Sequence, residues 1–210
     1  MIHSNGKFIV IEGLDGSGIT EQVELLKEWL RHRNYDLSRV AFTHEPSEGP
    51  VGLLLRMTLQ DRLKRMDEMT MALLFAADRY DHVTTFIQPT LDKGIHVVSD
   101  RYYLSFYAYQ MGQGLALEWL QTLGETWIPP DLTLVLNTPL EQCLASLDKR
   151  PTRQRYEEEA TLRKTWEEFQ RMIRVLLSRG EKLHVVSGMG SPKEVQQRVL
   201  KHVGPLFEQE

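Results

Sequence analysis

The chain is short of cysteine, of long apolar runs and of net charge. Its single cysteine, Cys143, excludes an internal disulfide. In a segment of helical spacing (141–147) it reads as a buried structural thiol rather than a reactive one. No stretch approaches the roughly 18 apolar residues that a membrane-spanning helix needs, and the first residues lack the apolar core of an export signal. A cytoplasmic location is therefore expected. A net charge of −4 over 210 residues gives no general attraction for a nucleic-acid polymer or a membrane surface. The seven histidines lack metal-site spacing such as H-x-x-x-H, which argues against zinc. There is no internal repeat, low-complexity tract or linker. With 41% hydrophobic residues, the length suits one domain, 1–210, with a substantial core.

One further absence is local. Residues 7–12 read as a short apolar strand, followed by Gly13-Leu14-Asp15-Gly16-Ser17-Gly18-Ile19-Thr20 and then an amphipathic run. This is G-x-x-x-x-G-K-[ST] with isoleucine in the lysine position. Glycines let backbone N–H groups converge on an anion, and the following helix N-terminus adds partial positive charge. Gly13, Gly16, Ser17, Gly18, Ile19 and Thr20 are therefore candidates to cradle a phosphate chain. The missing lysine would normally reach the β- and γ-phosphates as a point charge. Losing one donor that acts on developing charge costs about 2.7–4 kcal/mol. Ile19 is expected to present an apolar side chain to the polyanion instead.

Short β-branched and apolar runs recur at 8–11, 40–43, 95–99, 132–136 and 183–186. Helical spacing separates them, most clearly at 21–33, 67–91, 115–126, 140–149, 158–178 and 192–207. This alternation points to an α/β fold, a five-stranded parallel sheet flanked by helices on both faces. Ligands of such sheets sit beyond the carboxyl ends of the strands, which directs attention to residues 13–20, 44–48, 100–101 and 137. After the second strand stands Glu45-Pro46, with Arg56 ten residues beyond the proline. Phe75 and Arg79 share one helix face at i and i+4, where a ring can stack a base and a guanidinium can bond its edge. Taken alone, Phe75 reads more readily as core. After the third strand come Asp100-Arg101-Tyr102, Ser105 and Ala108-Tyr109-Gln110, a stretch that also suits an aromatic packing helix.

The ordered set E-G-L-D-G-S-G, E-P with an arginine ten on, L-F-A-A-D-R, S-D-R-Y, A-Y-Q and P-D-L-T-L-V-L resembles the thymidylate kinases (dTMP kinases), of the P-loop nucleoside monophosphate kinase class. The resemblance runs over essentially the whole chain. It implies a P-loop NTPase-type three-layer sandwich that transfers the γ-phosphoryl group of ATP to dTMP, with Mg²⁺ carried in by ATP and a homodimeric assembly. It gives Asp15 to the deoxyribose 3′-hydroxyl and Arg56 and Arg101 to the acceptor phosphate. Phe75 is given to stacking on thymine, Arg79 to its exocyclic oxygen and Gln110 to the base edge. Tyr109 becomes the wall against a ribose 2′ substituent, with Glu45 and Ser105 beside the substrate. Thr20 and Asp100 fall near the metal. Residues 149–158 correspond to a mobile lid, and Gly16 places the chain among members in which lid arginines, here Arg150, Arg153 and Arg155, supply charge over the phosphates.

Several positions depart from that pattern. Ile19 is the chief one, joined by Glu21, Ser47-Glu48, Phe106, Asn137 and Gln154. The costly changes gather on the donor-phosphate side and spare most of the acceptor side. Three outcomes stand open: a working kinase in which Lys149 or the lid arginines compensate, a weak or silent nucleotide-binding protein that keeps the thymidine monophosphate site, and a kinase whose acceptor Phe106 has shifted.

Overall fold

Strand β1 (Phe8–Gly13) is apolar on both sides because it runs through the middle of the sheet. Phe8 and Val10 face one layer of helices, Ile9 and Ile11 the other, and each is at most 1% exposed. The computed structural model describes residues 6–151 and 154–208, so Arg153 lies outside the described residues. β2 (Val40–His44), β3 (His96–Asp100), β4 (Leu132–Asn137) and β5 (Leu183–Ser187) complete the sheet. The order is β2-β3-β1-β4-β5 and every pairing is parallel.

On the Ile9/Ile11 face lie α1 (Ile19–His32) and, at the end of the chain, α9 (Pro192–Phe207). They contribute the stripes Ile19/Val23/Leu26/Leu30 and Val195/Val199/Val203/Phe207. A capping box at Ser191 and Glu194 starts α9. The opposite face carries α2 (Pro50–Leu59), α3 (Glu68–His82), α4 (Gln88–Leu91), α5 (Tyr103–Gly112), α6 (Leu117–Gly124), α7 (Leu140–Leu147) and α8 (Glu159–Ser178).

All five strands fall within two residues of their sequence-based bounds. The single helix expected over 67–91 is instead α3, one π-helical turn at Val83–Ile87, and α4. Pro89 has no N–H to give to the preceding turn, which accounts for the wider loop of backbone there. Two helices carried weaker signals. α2 begins at Pro50, whose fixed φ suits the first helical position. α5 is buried from Leu104 to Met111 without interruption, so it has no polar face and hence no period for the eye to find. Among the described residues, no helix is long and apolar enough to cross a membrane.

Candidate active site at the carboxyl edge of the sheet

The glycine-rich loop leaves β1 and turns into α1. Gly16 has φ 81°, and a Cβ there would stand 2.4 Å from the Cys143 carbonyl oxygen of α7, so no side chain is tolerated. Gly18, with φ 95°, precedes α1 and leaves that helix without a side-chain cap, its first N–H groups facing the loop. Ile19 is only 4% exposed and packs with Val23, Leu26 and Leu30 against the sheet, while it also lines the cavity beside the loop. As the first residue of α1 it falls on the inward stripe of that helix. Thr20 lies exposed beside it and its Oγ1 donates to Asp100 Oδ2 (2.7 Å). Ser17 Oγ is buried and, among the described residues, without a hydrogen-bond partner.

An open outer cavity of about 660 Å³ spreads from this loop between α1 and β2. Its carboxylates come from Asp15, Glu21, Glu24, Glu45, Asp100 and Glu157, against cations from Lys27, Arg101 and Arg150. All three cations are already engaged, Arg101 with Asp15 (2.7 Å). Lys27 Nζ pairs with Glu24 (2.6 Å), and Arg150 Nη1 donates to Glu157 Oε1 (2.6 Å). Arg155 is not in this cavity, and neither is Lys149. The buried guanidinium of Arg155 reaches the Met66 carbonyl (2.6 Å) and Glu68 (2.7 Å) on the opposite side of residues 154–157.

A narrower inner cavity of about 120 Å³ lies between α3 and α5. Asp15, Glu45, Phe75, Arg79, Arg101, Ser105, Tyr109 and Gln110 all line it. Arg79 is fixed from several directions. Its Nε donates to Glu45 Oε2 (2.7 Å), its Nη2 to Glu45 and to the Tyr102 carbonyl (2.9 Å). The rings of Trp127, Tyr102 and Phe106 stand 4.5, 5.0 and 5.3 Å from the guanidinium. His82 Nδ1 lies 3.2 Å from the other Glu45 oxygen. Arg79 Nη1 is left buried and unpartnered among the described residues, as is Gln110 Oε1, and both side chains border the cavity. Arg56 is not brought there. Its Nη1 donates to the carbonyls of Pro46 (3.1 Å) and Ser47 and its Nη2 to Glu48 (3.3 Å), so its charge is satisfied by the loop that precedes its helix, α2.

Between the cavities, Arg101 takes φ 73°, a left-handed conformation that is costly for a side chain other than glycine. Its Nη1 donates to the Gly13 carbonyl (2.9 Å) and Ser105 Oγ (3.0 Å), its Nη2 to Asp15 Oδ1 (2.7 Å). Burial opposes its charge, but Tyr109, Asp15, Asp100 and Glu12 around it hold the guanidinium above its ordinary pKa. Tyr109 donates to Asp15 Oδ2 (2.6 Å), and burial with the Asp15 carboxylate keeps that hydroxyl protonated far up the pH scale. Cys143 is pushed up to about 12 by burial and by Asp15, which suits an inert thiol.

Glu12 was missed by the sequence reading. Fully buried, it accepts from Tyr102 N (2.8 Å), Ser105 N (3.1 Å) and Ser105 Oγ, and so caps the start of α5 from the neighbouring strand. Burial raises its pKa against the pull of Ser105, Arg101 and Tyr102. Its place in the E-G-L-D-G motif was the available signal. Tyr102, Trp127 and His82 were also missed as partners of Arg79 and Glu45; only His82, at i+3 from Arg79, left a trace in the spacing.

The thymidylate kinase family model matches residues 11–199, most of the chain. The protein named "Probable thymidylate kinase" of Thermococcus onnurineus is 34% identical over 200 residues, covering 92% of this chain and 95% of that one. Its namesake in Thermococcus kodakarensis is 32% identical over 211 residues, 97% of this chain and 100% of that one. The protein of the same name in Pyrococcus abyssi is 34% identical over 203 residues, with 93% and 94% covered.

Proposed function

The chain belongs to the thymidylate kinase family, and from that premise we propose that it transfers the γ-phosphoryl group of ATP to the 5′-phosphate of dTMP, giving dTDP and ADP. The observation that carries this reading is the convergence of Phe75, Arg79, Arg101, Tyr109 and Gln110 on one cavity beside the glycine-rich loop. Thymine stacks on Phe75. The unpartnered Nη1 of Arg79 donates to an exocyclic oxygen, and Gln110 meets the base edge. Asp15 accepts from the 3′-hydroxyl while the Tyr109 ring limits space beside the sugar. Arg101 faces the acceptor phosphate, and Arg56 reaches it only by leaving Glu48. The attacking oxygen is already a phosphate anion, so no general base is required. The protein's task is alignment and charge neutralisation.

Thr20 and Asp100 present hard oxygens 2.7 Å apart, a donor set that fits Mg²⁺ arriving with ATP. When bound, such an ion would offset phosphate charge. Residues 149–158 act as a lid, with Arg150 exchanging Glu157 for the donor phosphates. A homodimer is expected through the face of α2 and α3, where Leu53, Met69, Leu73 and Tyr80 stand exposed. The buried, unpaired thiol of Cys143 suits a reducing cytoplasm.

A second reading is favoured by Ile19 and by the carboxylates of the outer cavity: a nucleotide-binding protein that keeps the dTMP site with little catalysis. A coupled assay of ADP release with ATP, Mg²⁺ and dTMP, run beside Ile19→Lys, separates the two. Turnover in the unmodified protein supports the kinase. Turnover only after lysine is restored supports the second reading.

A further inference from the structure

Residues 154–157 are stitched to the acceptor side of the molecule. Arg155 N donates to the Leu59 carbonyl (3.0 Å) at the end of α2. Its Nη2 donates to the Met66 carbonyl (2.6 Å) and to Glu68 Oε1 (2.7 Å), and Glu68 is the first residue of α3, the helix that carries Phe75 and Arg79. The other oxygen of the same carboxylate accepts from Tyr156 Oη (2.9 Å). The Tyr156 ring lines the inner cavity and packs 6.2 Å from the ring of Tyr109, whose hydroxyl holds Asp15. Burial, and then the Glu68 charge, raise the Tyr156 pKa, so it remains a donor to Glu68.

The side chain of Arg155 is only 2% exposed, and it borders neither cavity. To reach a donor phosphate it would have to abandon a carbonyl and a carboxylate and leave Glu68 half-buried with one donor fewer. Arg150 is the contrast. Its side chain is 48% exposed, lines the outer cavity and, among the described residues, has Glu157 as the acidic partner to exchange for an incoming anion.

We infer that Arg155 is a positioning residue of the acceptor pocket, clamping Tyr156 and the start of α3 through Glu68, and does not hold the donor phosphates. The acceptor half of this statement rests on the reading that dTMP fills the inner cavity.

The test is Arg155→Met, with Arg155→Lys as the conservative partner that keeps charge but cannot span carbonyl and carboxylate together. Hydrogen exchange in the ligand-free protein should rise at 154–157 and at the start of α3 together in Arg155→Met. Unchanged exchange at α3 overturns the clamp, whatever the substrate proves to be. Calorimetric titration should then show dTMP affinity falling by about tenfold, with ATP·Mg²⁺ affinity within about twofold of the unmodified protein and Arg155→Lys in between. Loss of ATP affinity with dTMP binding intact overturns the acceptor-side role and returns Arg155 to the donor phosphates. Absence of dTMP binding by the unmodified protein, with exchange at both segments still coupled, refutes the dTMP reading and upholds the clamp.

Discussion

The inner and outer cavities share Asp15, Glu45, Arg101, Gln154 and Glu157, yet they are equipped in opposite ways. In the inner one, the guanidinium of Arg79 is braced by Glu45, a carbonyl and three aromatic rings, and still has one buried nitrogen to offer. Such a group is fixed before a ligand arrives, so little ordering cost remains. In the outer one, carboxylates outnumber cations, Lys27 and Arg150 are paired with glutamates, and Ile19 has been absorbed into the core. A polyphosphate entering there meets backbone N–H groups but few free positive charges. On the proposed reading, one site is preorganised for a planar polar ligand and the other depends on charge the ligand brings with it.

The largest expected effect is from Arg101→Met. It removes the donors to Gly13, Ser105 and Asp15 and leaves the Asp15 and Glu12 carboxylates without their neighbouring cation. Breaking the pair with Asp15 lowers the protein's stability, and separately the loss of the guanidinium that faces the acceptor phosphate should lower dTMP affinity by at least about 100-fold in a calorimetric titration. Unchanged dTMP affinity would remove the inner cavity's chief anion contact from the comparison.

Ile19→Lys sharpens the other side. Phosphoryl transfer should rise by at least about tenfold, while part of the roughly 1.5–3 kcal/mol gained from burying the isoleucine is lost and the melting temperature falls. An unchanged rate would mean that another group already covers the phosphates. Phe75→Ala should weaken dTMP by about 1–3 kcal/mol, the usual worth of a base on an aromatic ring, and leave ATP alone. Equal weakening of both nucleotides would merge the two cavities into one site.

The smallest effect is a pH slope. Because burial raises the pKa of Glu12, the native state keeps this proton to higher pH than the unfolded chain does. The stability contributed is full below the ordinary carboxylate range and is lost as pH rises through the raised value. Glu12→Gln should flatten that slope in thermal melts at several pH values. A steeper slope would contradict the buried carboxylate as its source.

Much of this arrangement was legible from the chain. The strands declared themselves through β-branched runs, and the rule that ligands sit at strand ends led directly to Asp15, Glu45 and Arg101. What was not legible depended on how the chain folds back on itself, often across long stretches of sequence. Glu12 finds its partners 90 and 93 residues away, through the pairing of β1 with β3. Arg155 sits in a charge-rich segment that reads as a solvated lid, and only the fold shows Glu68 and Met66 waiting beneath it. Ile19 could be recognised as a missing lysine, but its inward direction follows from the register of α1 against the sheet. Arg56 was legible only by its place ten residues beyond Glu45-Pro46; that Glu48 would engage it was not.

The contrast between the cavities is tested most directly by calorimetric titration of the unmodified protein with dTMP and, separately, with ATP·Mg²⁺. The expected result is dTMP binding tighter by at least about tenfold. ATP binding more tightly than dTMP would contradict it, and would mean that the outer cavity finds its positive charge without a lysine at position 19.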